Sequence, residues 1–126
     1  MDLKFYKCSK CGQVVAVICK TGMPMTCCDE EMQELIPCSV DASVEKHVPY
    51  VEIKGFLAEV RIGEEEHPML PEHHIEWIAL QTKKGCQLVE LNPNEAPKAK
   101  FELIPGDYVE AVYAYCNLHS LWRADV

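Results

Sequence analysis

The chain has 126 residues, 48% of them hydrophobic, and a formal net charge of −8. That length suits one ordinary domain, or a small domain joined to a larger one, and the hydrophobic share excludes a disordered chain. The acidic balance argues against a nucleic-acid binder, and no apolar run reaches the roughly 20 residues that span a bilayer.

The first twelve residues, MDLKFYKCSKCG, lack the apolar core and small-residue cleavage site of a secretory signal, so a cytoplasmic location is expected. Eight cysteines in such a chain point to metal or redox chemistry, because the cytosol keeps thiols reduced. Residues 1–36 hold five of them but carry a net charge of only −1; residues 37–126 carry −7. An anionic substrate would therefore need local positive charge to draw it in.

Within residues 1–36, QVVAVICK (13–20) is rich in β-branched residues and predicts a strand, bounded by turn signals at Cys11-Gly12 and Thr21–Pro24. A segment this short cannot bury enough apolar surface to fold alone, so a small metal-stapled domain is expected. Cys8-x-x-Cys11 has the spacing that wraps one tetrahedral ion. Cys27 and Cys28 would complete the set, although they lack a spacer; both can ligate only if a turn aims two neighbouring side chains at one ion. An all-sulfur site suits iron or zinc. Cys19, Cys38 and Cys86 have no ligand-spaced partner and are expected to be ordinary buried thiols.

From Pro37 the pattern changes to short strands at 48–54, 56–62, 75–82, 86–91, 99–104 and 108–116, separated by glycine, proline and asparagine turns. In AKFELI, Ala99, Phe101 and Leu103 share one face, the period of a half-buried strand. The expected class is all-β, with an antiparallel β-sandwich over residues 37–126.

All five histidines fall at strand edges or loops: His47 in EKHVP, His67 in EEEHPM, His73 and His74 in PEHHIEW, and His119 three residues after Cys116 in CNLHSLW. A lone loop histidine is usually just solvated, but several beside a Cys-x-x-His pair point to a metal site. A blue-copper site is disfavoured because SLWRADV supplies no methionine after the last histidine. Several imidazoles with one thiolate suit iron better than structural zinc. Five ligands on a six-coordinate ion leave one position open.

CxxC with a later CC resembles desulforedoxin, and EKHVP…HPM…HHIEW…CNLHSLW closely resembles superoxide reductase; in this order they resemble desulfoferrodoxin, the two-iron form. The resemblance implies a desulforedoxin-like domain (1–36) and an immunoglobulin-like sandwich (37–126). It implies an Fe(Cys)₄ centre on Cys8, Cys11, Cys27 and Cys28, which zinc could replace. It implies a second iron held by His47, His67, His73 and His119 with Cys116 as axial thiolate. His73 is preferred to His74 because the family's next histidine falls six residues after that of HPM. The implied reaction is one-electron reduction of superoxide to hydrogen peroxide, fed by a donor such as rubredoxin, usually in homodimers of anaerobes or microaerophiles. Lys46 resembles the residue that draws the anion in, and Glu45 the carboxylate that binds the oxidised iron. A non-catalytic iron- or zinc-binding or electron-transfer module is the alternative.

Overall fold

The computed structural model describes residues 2–39 and 47–126. They divide into two compact units, Asp2–Ile36 and Pro37–Val126, and the named elements in both are β-strands.

In the smaller unit, β1 (Lys4–Lys7) pairs antiparallel with β2 (Val14–Val17) on one side and β5 (Gln33–Glu34) on the other. The strand predicted over 13–20 is cut short because β1 offers partners only as far as Val17. Beyond it Ile18 is 82% exposed, and Cys19 is an exposed thiol rather than a buried one. The buried apolar side chains described in this unit are Leu3, Phe5, Cys8 and Met32. So small a core leaves a cross-link much of the work.

A second hairpin joins β3 (Thr26–Cys27) to β4 (Glu30–Glu31) through Cys28-Asp29. Both turn residues are left-handed, with φ of 53° and 60°. A two-residue hairpin of this kind needs positive φ at both central positions, because only then does its twist match that of the strands. This explains the adjacent cysteines: Cys27 ends a strand, whereas Cys28 turns back over it.

Among its described residues the larger unit is an immunoglobulin-like sandwich of seven strands. One sheet has the order β10 (Lys98–Glu102), β7 (Leu57–Ile62), β6 (Pro49–Lys54). The other has the order β12 (Ser120–Asp125), β11 (Val109–Cys116), β8 (Ile75–Thr82), β9 (Cys86–Glu90). All six strands predicted here form; β12 was not anticipated. The core lies between the sheets, and alternation selects it: Ala58, Val60 and Ile62 from β7, Ala99 and Phe101 from β10, and Val112, Ala114 and Cys116 from β11. Cys116 is thus the last member of an inward-facing row, which places its thiol at the rim of the core. Cys38 and Cys86 are exposed, against expectation. Cys86 begins β9, whose residues alternate between exposed and half-buried.

Pairing of β11 with β8 shifts register between Tyr115↔Trp77 and Cys116↔Ile75, so that Glu76 is an extra residue. Ile75 is thereby turned onto the same core face as Ile78 and Leu80. The bulge sits beside the end of β11 that carries Cys116, and it aims the chain segment holding His73.

The left-handed turn yields a test. Asp29→Val, which places a β-branched residue at φ 60°, should cost the smaller unit roughly 1–2 kcal/mol and weaken its metal binding. Asp29→Gly should retain both, as read by thermal unfolding and metal titration.

Candidate metal centres

The four thiols of Cys8, Cys11, Cys27 and Cys28 lie within 4.8 Å of one another. Cys8 and Cys11 flank a tight knuckle: the Cys8 amide donates to the Gln13 carbonyl, and the Gly12 amide to the Cys8 carbonyl. The amides of Cys11 and Lys10 pull the Cys8 thiol down to about 6. Hydrogen bonds with Cys8 and Cys11 push the Cys27 thiol up to about 12, and Cys11 Sγ and Cys27 Sγ are 3.6 Å apart. Without a cation the cluster shares protons among its sulfurs; four thiolates so close need a metal to hold their charge.

The larger unit gathers its donors at one end of the sandwich. His47 comes just before β6, His67 from the β7–β8 connection, His73 from the same connection nearer β8, Cys116 from the end of β11, and His119 from the β11–β12 turn. Donor atoms of His47, His67, His73 and Cys116 lie within 4.8 Å of one another. His119 joins them through Nδ1, which is 3.0 Å from His47 Nε2 and 3.7 Å from Cys116 Sγ.

The four rings form a closed circuit. His47 meets His67, His67 meets His73, His73 meets His119, and His119 meets His47, each edge to face with centroids 4.7–5.1 Å apart. His47 and His67 are buried, His73 is half-buried and His119 is exposed, so the circuit has a solvent side.

The donor chemistry fits a metal. His67 Nδ1 lies 2.7 Å from the Pro68 carbonyl, which can only accept, so the ring donates there and leaves Nε2 as a lone-pair nitrogen. That Nε2 is buried without a hydrogen-bond partner. Burial pushes the His67 pKa down to about 4; the Pro68 carbonyl opposes this, and the neighbouring imidazoles reinforce it. The ring is therefore neutral at pH 7, the form that ligates. Burial likewise pushes the Cys116 thiol up, against the amides of Leu118 and His119, which favour thiolate. A cation among these atoms supplies what the apolar rim withholds.

His74 is not in the group; its amide donates to Asn117 Oδ1 and its carbonyl accepts from the Asn117 amide. Trp122 was not anticipated. It is buried, stacks on His47 with centroids 4.6 Å apart, and donates Nε1–H to the His119 carbonyl. It thus braces two members of the circuit, and its only sequence signal is an aromatic three residues after His119. Glu45 and Lys46 lie outside the described residues.

The desulfoferrodoxin family profile matches residues 39–125. The chain belongs to the desulfoferrodoxin family. A desulfoferrodoxin of Clostridium acetobutylicum is 40% identical over 99% of this chain and 98% of its own length. A superoxide reductase of Pyrococcus horikoshii is 38% identical over 70% of this chain and 91% of its own. The crystal structure of the superoxide reductase from Treponema pallidum superposes with a TM-score of 0.86 at 34% identity, covering 98% of each chain. Among the described residues no helix is long and apolar enough to cross a membrane.

Substitutions separate the donors. Cys116→Ser should remove the sulfur-to-metal charge-transfer band of the metal-loaded larger unit and most activity, whereas Cys86→Ser, at an exposed thiol, should change neither. His73→Gln should weaken metal binding at this site strongly while His74→Gln retains it; the reverse pattern would exchange their roles.

Proposed function

We propose that this member of the family is a superoxide reductase, converting superoxide to hydrogen peroxide with one electron and two protons. The observation that carries this reading is the closed circuit of four imidazoles with a thiol beside it. His47, His67, His73, His119 and Cys116 would hold iron, which supplies a one-electron couple and a position open to a small anion. Cys116 would donate charge to the metal, while the Leu118 and His119 amides temper that charge. The Pro68 carbonyl keeps His67 in its ligating tautomer, and Trp122 holds His47 and His119 in place. Exposure at His119 leaves the substrate a way in.

The cysteine cluster would hold a second iron, replaceable by zinc. Cys11 and Cys28 are exposed, which suits electron entry from a docked rubredoxin-type donor. A homodimer, which rests on the family resemblance, and a cytoplasmic location complete the reading. Lys46 would attract superoxide against the overall charge of −8, and Glu45 would bind the oxidised iron after product leaves.

Product stoichiometry tests the reaction. Reduced protein mixed anaerobically with superoxide should yield one peroxide for each superoxide consumed, without dioxygen. Dioxygen released with half that peroxide would indicate dismutation instead, and no peroxide would leave only a metal-binding module. Attraction by Lys46 has its own signature, because salt shortens the Debye length to roughly 8 Å at physiological ionic strength. Lys46→Met should slow the second-order encounter and flatten its salt dependence with iron still bound, and Lys46→Arg should restore both. Pulse radiolysis at two ionic strengths would measure this; an unchanged encounter rate in Lys46→Met would rule out steering.

A further inference from the structure

Asn117 sits in the turn between Cys116 and His119 yet bonds to a different part of the chain. Its Oδ1 accepts from the His74 amide at 2.9 Å, and its Nδ2 donates to the Glu72 carbonyl at 3.0 Å. Its own amide donates to the His74 carbonyl at 3.2 Å. The three bonds grip the backbone on both sides of His73. On its other side the His73 amide and carbonyl bond reciprocally to Leu70, at 3.1 and 2.9 Å, closing residues 70–73 into a small loop.

The ladder between β11 and β8 ends at Cys116↔Ile75, after the bulge at Glu76. Asn117 therefore takes over where regular pairing stops. Without its side chain, the two bonds to the Glu72 carbonyl and the His74 amide would be lost, while the Asn117 amide would keep its bond to the His74 carbonyl. We infer that Asn117 is a positioning residue, which fixes the distance between His73 and Cys116 and so sets metal affinity and the character of the sulfur–metal bond. This rests on the proposed metal site. Partners that orient metal ligands from outside typically contribute about 10–100-fold in affinity.

The test uses the full chain with Cys27→Ser and Cys28→Ser, which disable the cysteine cluster, titrated with Co(II) against a competing chelator. Asn117→Ala should weaken binding by about 10–100-fold and shift the thiolate-to-cobalt band. Asn117→Asp, which keeps the acceptor for the His74 amide but loses the donor to Glu72, should fall between. If Asn117→Ala fails to fold, Asn117→Asp alone decides: full affinity with an unmoved band contradicts the inference. A double-mutant cycle separates positioning from general stabilisation. With Cys116→Ser already present, Asn117→Ala should cost little further affinity, whereas an equal loss in both backgrounds would overturn the inference. Wild-type affinity and an unmoved band in Asn117→Ala would also overturn it. Absence of a thiolate-to-cobalt band before Asn117 is changed would instead contradict the metal site itself.

Discussion

Four imidazoles closed edge to face around one another, with a thiol at the rim of an apolar core, form an arrangement that protein contacts alone satisfy poorly. His47 Nε2 and His119 Nδ1 stand 3.0 Å apart, a separation that calls for a shared proton or a cation. Burial and the neighbouring imidazoles keep His67 from taking up a proton. The Cys116 thiol is pushed up by burial in the same volume. One metal ion would resolve these conflicts together, and the architecture of the larger unit brings the candidate donors to one place.

The sandwich does this with ordinary strand geometry. Period-two alternation carries Val112, Ala114 and Cys116 inward, while the extra residue at Glu76 re-aims the neighbouring strand. The histidines come from chain connections, where a ligand can be placed without disturbing the core. Fixed supports then hold them: the Pro68 carbonyl on His67, the Trp122 indole on His47 and the Leu70 backbone on His73. The smaller unit solves a different problem. Its few buried residues cannot hold it together alone, and a metal among four sulfurs would cross-link its two hairpins.

The candidate donors could be picked out in the sequence because metal chemistry restricts residue type and spacing more tightly than packing does. Cys8-x-x-Cys11 and Cys116-x-x-His119 announce themselves. Six sandwich strands were legible for a similar reason, since alternation such as Ala99, Phe101, Leu103 follows directly from the pleat. β12 was hidden because Ser120–Asp125 lacks a clean alternation, and Ser120 enters it at φ 65°. The geometry of Cys27-Cys28 was hidden too, since two left-handed residues in a row are seldom predicted without glycine. Burial of Cys19, Cys38 and Cys86 was misjudged because thiols are usually buried, whereas the strands here end or alternate so as to expose them. Trp122 escaped notice because support for a ligand imposes no spacing rule on sequence.

The most direct test of the metal centre is X-ray absorption of ferrous iron bound to the Cys27→Ser/Cys28→Ser chain, in which the cysteine cluster is disabled. The account predicts a shell of nitrogen scatterers with a single sulfur, and loss of that sulfur when Cys116→Ser is added. A shell without sulfur before that substitution, or one of several sulfurs, would contradict it.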